Sequence, residues 1–107
     1  MIEPKHFVDQ LAAVDIEFYV GIPDSLLADL CAYVDDNVQP GRHVVAANEG
    51  NAVAMGSGYH MSTGKSAVVY LQNSGLGNTI NPLTSIADKE VYRIPLLMVV
   101  GWRGEPD

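Results

Sequence analysis

Four short runs of this chain are apolar at consecutive positions: IEFYVG (16–21), HVVAA (43–47), SAVVYLQ (66–72) and PLLMVV (95–100). A strand with one wet face alternates apolar and polar residues, so an uninterrupted apolar run marks a strand buried on both sides. The stretches between them carry apolar residues every three or four positions, the spacing of one helical face. In the first, Phe7, Val8, Leu11 and Ala12 follow Pro4, which suits a first helical turn. In the second, Leu26, Leu27, Leu30, Cys31 and Val34 share a face behind Asp24 or Ser25 as the cap. Asn48 is a natural cap for the third, which stops at Thr63-Gly64. The fourth follows the loop NSGLGN, with Pro82 near its start and Asp88, Lys89 and Glu90 near its end. Four alternations of strand and helix predict an α/β chain: a doubly wound, mainly parallel sheet with helices on both faces.

A chain of 107 residues, 48% of them hydrophobic, suits one domain with a modest core. Its formal net charge is -7, with no basic cluster, which argues against nucleic acid or an anionic membrane as partner. No run approaches the ~20 apolar residues of a membrane span. The N-terminus, MIEPKHFVDQ, lacks the pattern of a signal peptide. Cys31 stands alone among LLADLCAYV, a buried, inert thiol on a helix with no disulfide or metal pair. The expected setting is cytoplasmic. The sequence also stops just after the fourth strand with no closing helix, so a fragment, or a domain completed by a partner, is expected.

In such folds ligands gather at the carboxyl ends of the strands. Four loops occupy that edge here, GIPDS, AANEGN, QNSGLGN and GWRGEP, while NVQPGR reads as a plain connector. GYHMSTGKS resembles a phosphate-binding loop, but five residues separate Gly58 from Gly64 where four are needed, and it runs from helix to strand. SGLGN follows a strand correctly, yet Ile80 stands where a dinucleotide fingerprint needs its third glycine. It reads as a tight turn at positive φ whose glycines admit a close neighbour. His6, His43 and His60 show no ligand spacing. Asp24 reads first as a helix cap. Arg103 is either a surface charge or, from its place after a strand, a cation for an anionic substrate.

Glu49 resists a bland explanation. The helix macrodipole favours an acid in a first turn by ~0.3–1 kcal/mol, which accounts for its charge. It does not account for the small residues around it: Ala46, Ala47, Gly50, Ala52, Ala54, Gly56 and Gly58. These leave room for another surface or a flat ligand, and a carboxylate held among them is poorly solvated and suited to proton exchange.

GIPDSLL, AANEGNAVAMGSGYHMSTGK, VYLQNSGLGNTINPLTSIAD and IPLLMVVGWRGEP closely resemble the N-terminal, pyrimidine-binding domain of the thiamine-diphosphate-dependent phosphonopyruvate decarboxylases. The sulfopyruvate decarboxylases are their nearest relatives. The resemblance is collinear over nearly the whole chain and makes residues 1–107 a pyrimidine-binding domain. It implies that Glu49 hydrogen-bonds the cofactor's pyrimidine nitrogen and promotes the imino tautomer that removes the C2 proton. It places Gln72, Asn73, Gly75, Leu76, Gly77 and Asn78 along the reactive end of the cofactor. Asn73 or Ser74, with Ser25, would contact substrate. Asp24 would handle protons as the second catalytic acid, and Arg103 would read the phosphonate.

The family also carries a second domain with a GDG signature that holds Mg²⁺ and the diphosphate. No GDG occurs here, so the chain alone should be inactive and need another subunit, in a homo-oligomer or a split enzyme. The implied reaction converts 3-phosphonopyruvate to phosphonoacetaldehyde and CO₂ through a C2 ylid, a step of phosphonate biosynthesis. A sulfopyruvate decarboxylase pyrimidine-domain subunit is the close alternative. The alternative of another class is a non-catalytic α/β binding domain in which Glu49 is a capping acid.

Overall fold

The fold follows the alternation of the sequence, with an all-parallel sheet at its centre. A computed structural model describes residues 2–104. Helix α1 (Pro4–Ala12) precedes strand β1 (Phe18–Gly21). A 3₁₀ turn (Ser25–Leu27) leads into α2 (Ala28–Asn37), followed by β2 (His43–Val45), α3 (Glu49–Thr63) and β3 (Ala67–Gln72). Strand β4 (Leu96–Gly101) is the last element. The strand order is β2-β1-β3-β4 and each pairing is parallel, with Val20 beside both Val44 and Val69, and Val69 beside Met98.

Both faces of the sheet are covered, as the uninterrupted apolar runs require. On one face Tyr19, Val68 and Tyr70 pack with Val34 of α2 and with Val8 and Leu11 of α1. On the other, Phe18, Val20, Val69 and Leu71 pack against Ala52 and Val53 of α3. The small residues of α3 divide between its two sides. Ala52 and Gly56 face the sheet, where a Cβ on Gly56 would come within 3.1 Å of Leu96 and Val69, while Ala54 and Gly58 are exposed. Helix α3 thus needs glycine to lie close on its own sheet, besides any surface it offers outward.

Local signals set the ends of α3 as expected. The Asn48 side chain accepts a hydrogen bond from Asn51 N at 2.9 Å, and Gly64 closes the helix at φ 75° in the left-handed region.

Three expectations are overturned. Asp24 does not cap: its side chain makes no capping hydrogen bond, and the segment opens as a 3₁₀ turn. The stretch NSGLGN is not an open loop but a run of 3₁₀ turns (Asn73–Thr79), continued by an α turn (Ile80–Pro82) and a π turn (Leu83–Ala87). Pro82 has no N–H to return to the Asn78 carbonyl, so a regular α-helix cannot run through this segment. Finally, β4 is only half-buried from Leu96 to Val100, because it is the edge strand and no described element covers its outer side. Among the described residues, no helix is long and apolar enough to cross a membrane.

In the order β2-β1-β3-β4 the chain leaves β1 toward opposite sides, so the crevice beyond β1 and β3 is the topological switch point. The loops that follow β1, β2, β3 and β4 all open onto this edge.

Candidate functional site

The residue most deeply set in this crevice is Asp24, whose side chain is 1% exposed. It follows β1 on a segment tied to β3 by the Ile22 amide, which donates to the Tyr70 carbonyl at 3.0 Å. Gln72, the last residue of β3, donates through Nε2 to Asp24 Oδ1 at 2.9 Å. Arg103, two residues past β4, donates to the same oxygen through Nε at 3.3 Å. Its Nη2 also donates to Ser25 Oγ. Ser74 Oγ donates to Gln72 Oε1, which fixes which way the Gln72 amide points.

Asn73 reaches across the same gap in a different way. Its Nδ2 donates to the Arg103 carbonyl at 2.9 Å, and its Oδ1 accepts from the Arg103 amide at 3.1 Å. Three strand ends are thereby laced together by side chains from β1, β3 and β4. One polar atom is left over: among the described residues, none gives a hydrogen bond to the buried Asp24 Oδ2. It lies against Gly101, where any Cβ would overlap it.

A second group forms where β2 gives way to α3. Glu49 is the first residue of α3, half-buried, with the positive end of the helix behind it. Asn78 Nδ2 donates to Glu49 Oε2 at 2.9 Å, and Oε1 receives no hydrogen bond from the described residues. Two glycines make the approach possible. A Cβ on Gly75 would overlap the Glu49 carboxylate, and one on Gly50 would stand 2.7 Å from the Asn78 carbonyl oxygen.

The expectation of a turn at positive φ in SGLGN is therefore corrected. Positive-φ glycines are Gly41, Gly64 and Gly104 alone among the described residues, so Gly75 is glycine because of what lies above it. Gly77 meets nothing within 4 Å, and Leu76 packs into the core.

The predicted site residues therefore sit on one edge, all but Leu76 and Gly77 in two groups joined by the 73–78 segment. Asp24, Ser25, Gln72, Asn73, Ser74 and Arg103 form one; Glu49, Gly75 and Asn78 form the other. Glu105 and Pro106 of the GWRGEP stretch lie outside the described residues. Sequence reasoning missed Gly101 and the opposing role of Gly50. Their only signal was a glycine at the mouth of a ligand-edge loop. The histidines are elsewhere: His43 Nε2 lies 2.6 Å from Tyr70 Oη, and His60 Nδ1 lies 3.1 Å from the Lys65 carbonyl. Cys31 is half-buried on α2, and burial pushes its thiol pKa up.

The sequence profile described as the thiamine pyrophosphate enzyme, N-terminal TPP binding domain, matches residues 4–107. The chain belongs to this family. It is 34% identical over 106 residues to phosphonopyruvate decarboxylase of Streptomyces viridochromogenes, covering 99% of this chain and 26% of that protein. It is 37% identical over 89 residues to sulfopyruvate decarboxylase subunit alpha of Methanothermobacter thermautotrophicus, covering 83% of this chain and 52% of the subunit. Among solved structures, benzoylformate decarboxylase from Polynucleobacter necessarius superposes with a TM-score of 0.73 at 24% identity, over 94% of this chain and 18% of that one, which speaks for the fold alone. The chain thus spans about a quarter of one relative and half of the other.

The thiamine pyrophosphate family implies an aminopyrimidine ring at this edge, and the residues fit one. A half-buried carboxylate presents one fixed oxygen and one unengaged oxygen, and its glycine neighbours leave backbone surfaces that a flat ring can approach. They do not fit a metal: among the described residues, no group of three or more His, Cys, Asp or Glu side chains is placed to hold one.

Proposed function

We propose that this chain is the pyrimidine-binding domain of a thiamine-diphosphate decarboxylase that converts 3-phosphonopyruvate to phosphonoacetaldehyde and CO₂. The observation that carries the reading is the Glu49 carboxylate, held by Asn78 on one oxygen and free on the other at the carboxyl edge of the sheet. Likeness to phosphonopyruvate decarboxylases over 99% of the chain supports this choice of substrate.

Glu49 would hold a proton between its Oε1 and the pyrimidine ring nitrogen in a charge-assisted bond. When bound, thiamine diphosphate supplies the electron sink for the pair released as CO₂ leaves. Gly75, Leu76 and Gly77 would form the backbone wall beside the reactive end, with Gln72 and Asn78 at its two limits. Asp24 would deliver or take a proton at the substrate carbon through Oδ1, which Gln72 and Arg103 hold, while Oδ2 is buried against Gly101. Arg103 and Ser25 would grip the substrate's tetrahedral anion. The Arg103 side chain is 49% exposed; its guanidinium spends Nε on Asp24 and one Nη2 hydrogen on Ser25, and would keep its other donors for an oxoanion. Ser25 accepts from Arg103, so its own hydrogen is free to donate.

Mg²⁺ and the diphosphate would be held by a further domain, supplied by another subunit or by more polypeptide, and the site would be completed between chains. A specific observation favours a second reading, the alpha subunit of a sulfopyruvate decarboxylase: the 37% identity and the half-length match. Both substrates carry a tetrahedral anion one carbon from the keto group.

The test is aldehyde-forming decarboxylation by the assembled enzyme with thiamine diphosphate and Mg²⁺, comparing the two keto acids. Phosphonopyruvate turnover that falls by ~10²–10⁴-fold in Glu49→Gln is expected. Preference for sulfopyruvate replaces the substrate and leaves the mechanism. No turnover of either by a cofactor-saturated enzyme overturns the reading in favour of a non-catalytic domain.

A further inference from the structure

We infer that Asn73 is the positioning residue that sets anion specificity: its amide clamps the backbone of Arg103, and substrate never touches it. The inference rests on the reading of Arg103 given above. The side-chain amide uses both of its ends on one residue, Nδ2 on the Arg103 carbonyl at 2.9 Å and Oδ1 on the Arg103 amide at 3.1 Å. That two-point contact fixes the local backbone as a peptide partner in a sheet would, at the place where β4 has ended and no further strand pairing can do so.

The consequence for the guanidinium is geometric. Arg103 belongs to a segment whose next residue, Gly104, adopts φ 93°. Without an anchor, such a segment leaves a long side chain many rotamers, and each costs free energy to freeze upon binding. With the anchor, the Cα of Arg103 is held beside the end of β3, and the side chain falls across the crevice onto Asp24 and Ser25. Asn is the residue this clamp needs. Asp would keep the acceptor for the Arg103 amide but set a second oxygen against the Arg103 carbonyl, and Ser would reach only one of the two groups.

Asn73 also differs from its neighbours in what it holds. Gln72 acts on Asp24, Ser74 acts on Gln72, and Asn78 acts on Glu49. Of these four, only Asn73 bonds Arg103, and it does so at the backbone, whereas Asp24 and Ser25 take the side chain. A defect at Asn73 should therefore appear first in recognition of the anionic tail, and in the chemical step only as far as Arg103 also holds Asp24.

Two measurements test this. In the assembled enzyme, Asn73→Ala and Asn73→Asp are expected to raise KM for phosphonopyruvate, and the inhibition constant of methylphosphonate, by about tenfold, with any fall in kcat smaller than that because Asp24 keeps its Gln72 bond. A fall in kcat at unchanged KM, or no change in either constant, overturns the proposal. In the isolated chain, the Arg103 Nε–H resonance in a ¹⁵N spectrum reports the clamp without any cofactor. It should stand apart from the free-arginine position in wild type and collapse toward it in Asn73→Ala, while the thermal midpoint stays close to wild type. An Arg103 signal unchanged by the substitution also overturns it. Absence of turnover by wild-type enzyme, with the Arg103 resonance still responding to Asn73, would discard the assigned substrate and keep the clamp.

Discussion

Asn78 and Glu49 stand 29 positions apart in the chain, yet the amide of one donates to a carboxylate oxygen of the other at 2.9 Å. The bond engages Oε2 and leaves Oε1 without a hydrogen bond from the described residues. Asn78→Ala removes the donor and lets the carboxylate turn, and should weaken thiamine diphosphate binding to the assembled enzyme by about tenfold. Asn78→Asp should be worse, because it sets two carboxylates at hydrogen-bond distance beside a site that must accept a ring. Cofactor titration followed by tryptophan fluorescence separates the two. Equal affinities for wild type and Asn78→Asp would contradict the arrangement.

Gly75 and Gly77 look alike in the sequence and should behave differently. A Cβ at Gly75 would overlap the Glu49 carboxylate, while one at Gly77 would enter open space, and neither glycine has a positive φ. Gly75→Ala should displace Glu49 and abolish cofactor-dependent activity, at a folding cost of ~1–3 kcal/mol from overpacking. Gly77→Ala should fold normally, and in the isolated chain its urea midpoint should match wild type. A Gly75→Ala enzyme with full activity would show that the carboxylate has somewhere else to go.

These pairs mark where the sequence was readable. The four strands announced themselves as runs of apolar side chains, although burial on both faces holds for the central β1 and β3 and not for the edge strands β2 and β4. Asn48 and Gly64 were readable because a cap acts within three or four residues of itself. Asp24 was misread for the same reason. Its neighbours suggested a cap, but its partners Gln72 and Arg103 lie 48 and 79 positions away, and only the parallel order of β1, β3 and β4 brings them together. Gly75 was expected to take a positive φ and to admit a close neighbour; its φ is not positive, and the neighbour is the Glu49 side chain on another helix. The NSGLGN segment was expected to be open, and Pro82 four residues beyond it, which denies Asn78 its α-helical bond, was the overlooked clue.

Gly101 supports Asp24 from below, and the two should be energetically coupled. Gly101→Ala forces a Cβ into Asp24 Oδ2 and also brings it to 3.2 Å from Leu27, so the single substitution should cost ~1–3 kcal/mol in urea denaturation. In an Asp24→Ala background the overlap with the carboxylate disappears and the cost of Gly101→Ala should shrink, giving a coupling of ~0.5–3 kcal/mol. Strict additivity in this double-mutant cycle would show that the carboxylate moves aside without strain.

Two buried tyrosines on the α1/α2 face should make the fold sensitive to alkali. Burial, and then the Glu17 charge, pushes the Tyr19 pKa up from 10.0 to about 12, and burial pushes that of Tyr70 up as well. A raised value in the folded state means that the unfolded chain ionises first. The stabilisation is whole below pH 10, the ordinary tyrosine value, and is lost as pH rises from there through the folded value. The two residues differ at neutral pH. Tyr19 Oη is buried without a partner, whereas Tyr70 Oη is bonded to His43. Tyr19→Phe should therefore be neutral or slightly stabilising, and Tyr70→Phe should cost ~1 kcal/mol. Urea midpoints measured at roughly pH 8 and roughly pH 11 would read both effects at once. The wild-type midpoint should fall between the two, and that of Tyr19→Phe should fall less. If Tyr19→Phe loses as much stability in alkali as wild type, its phenol is not the group that the fold keeps protonated.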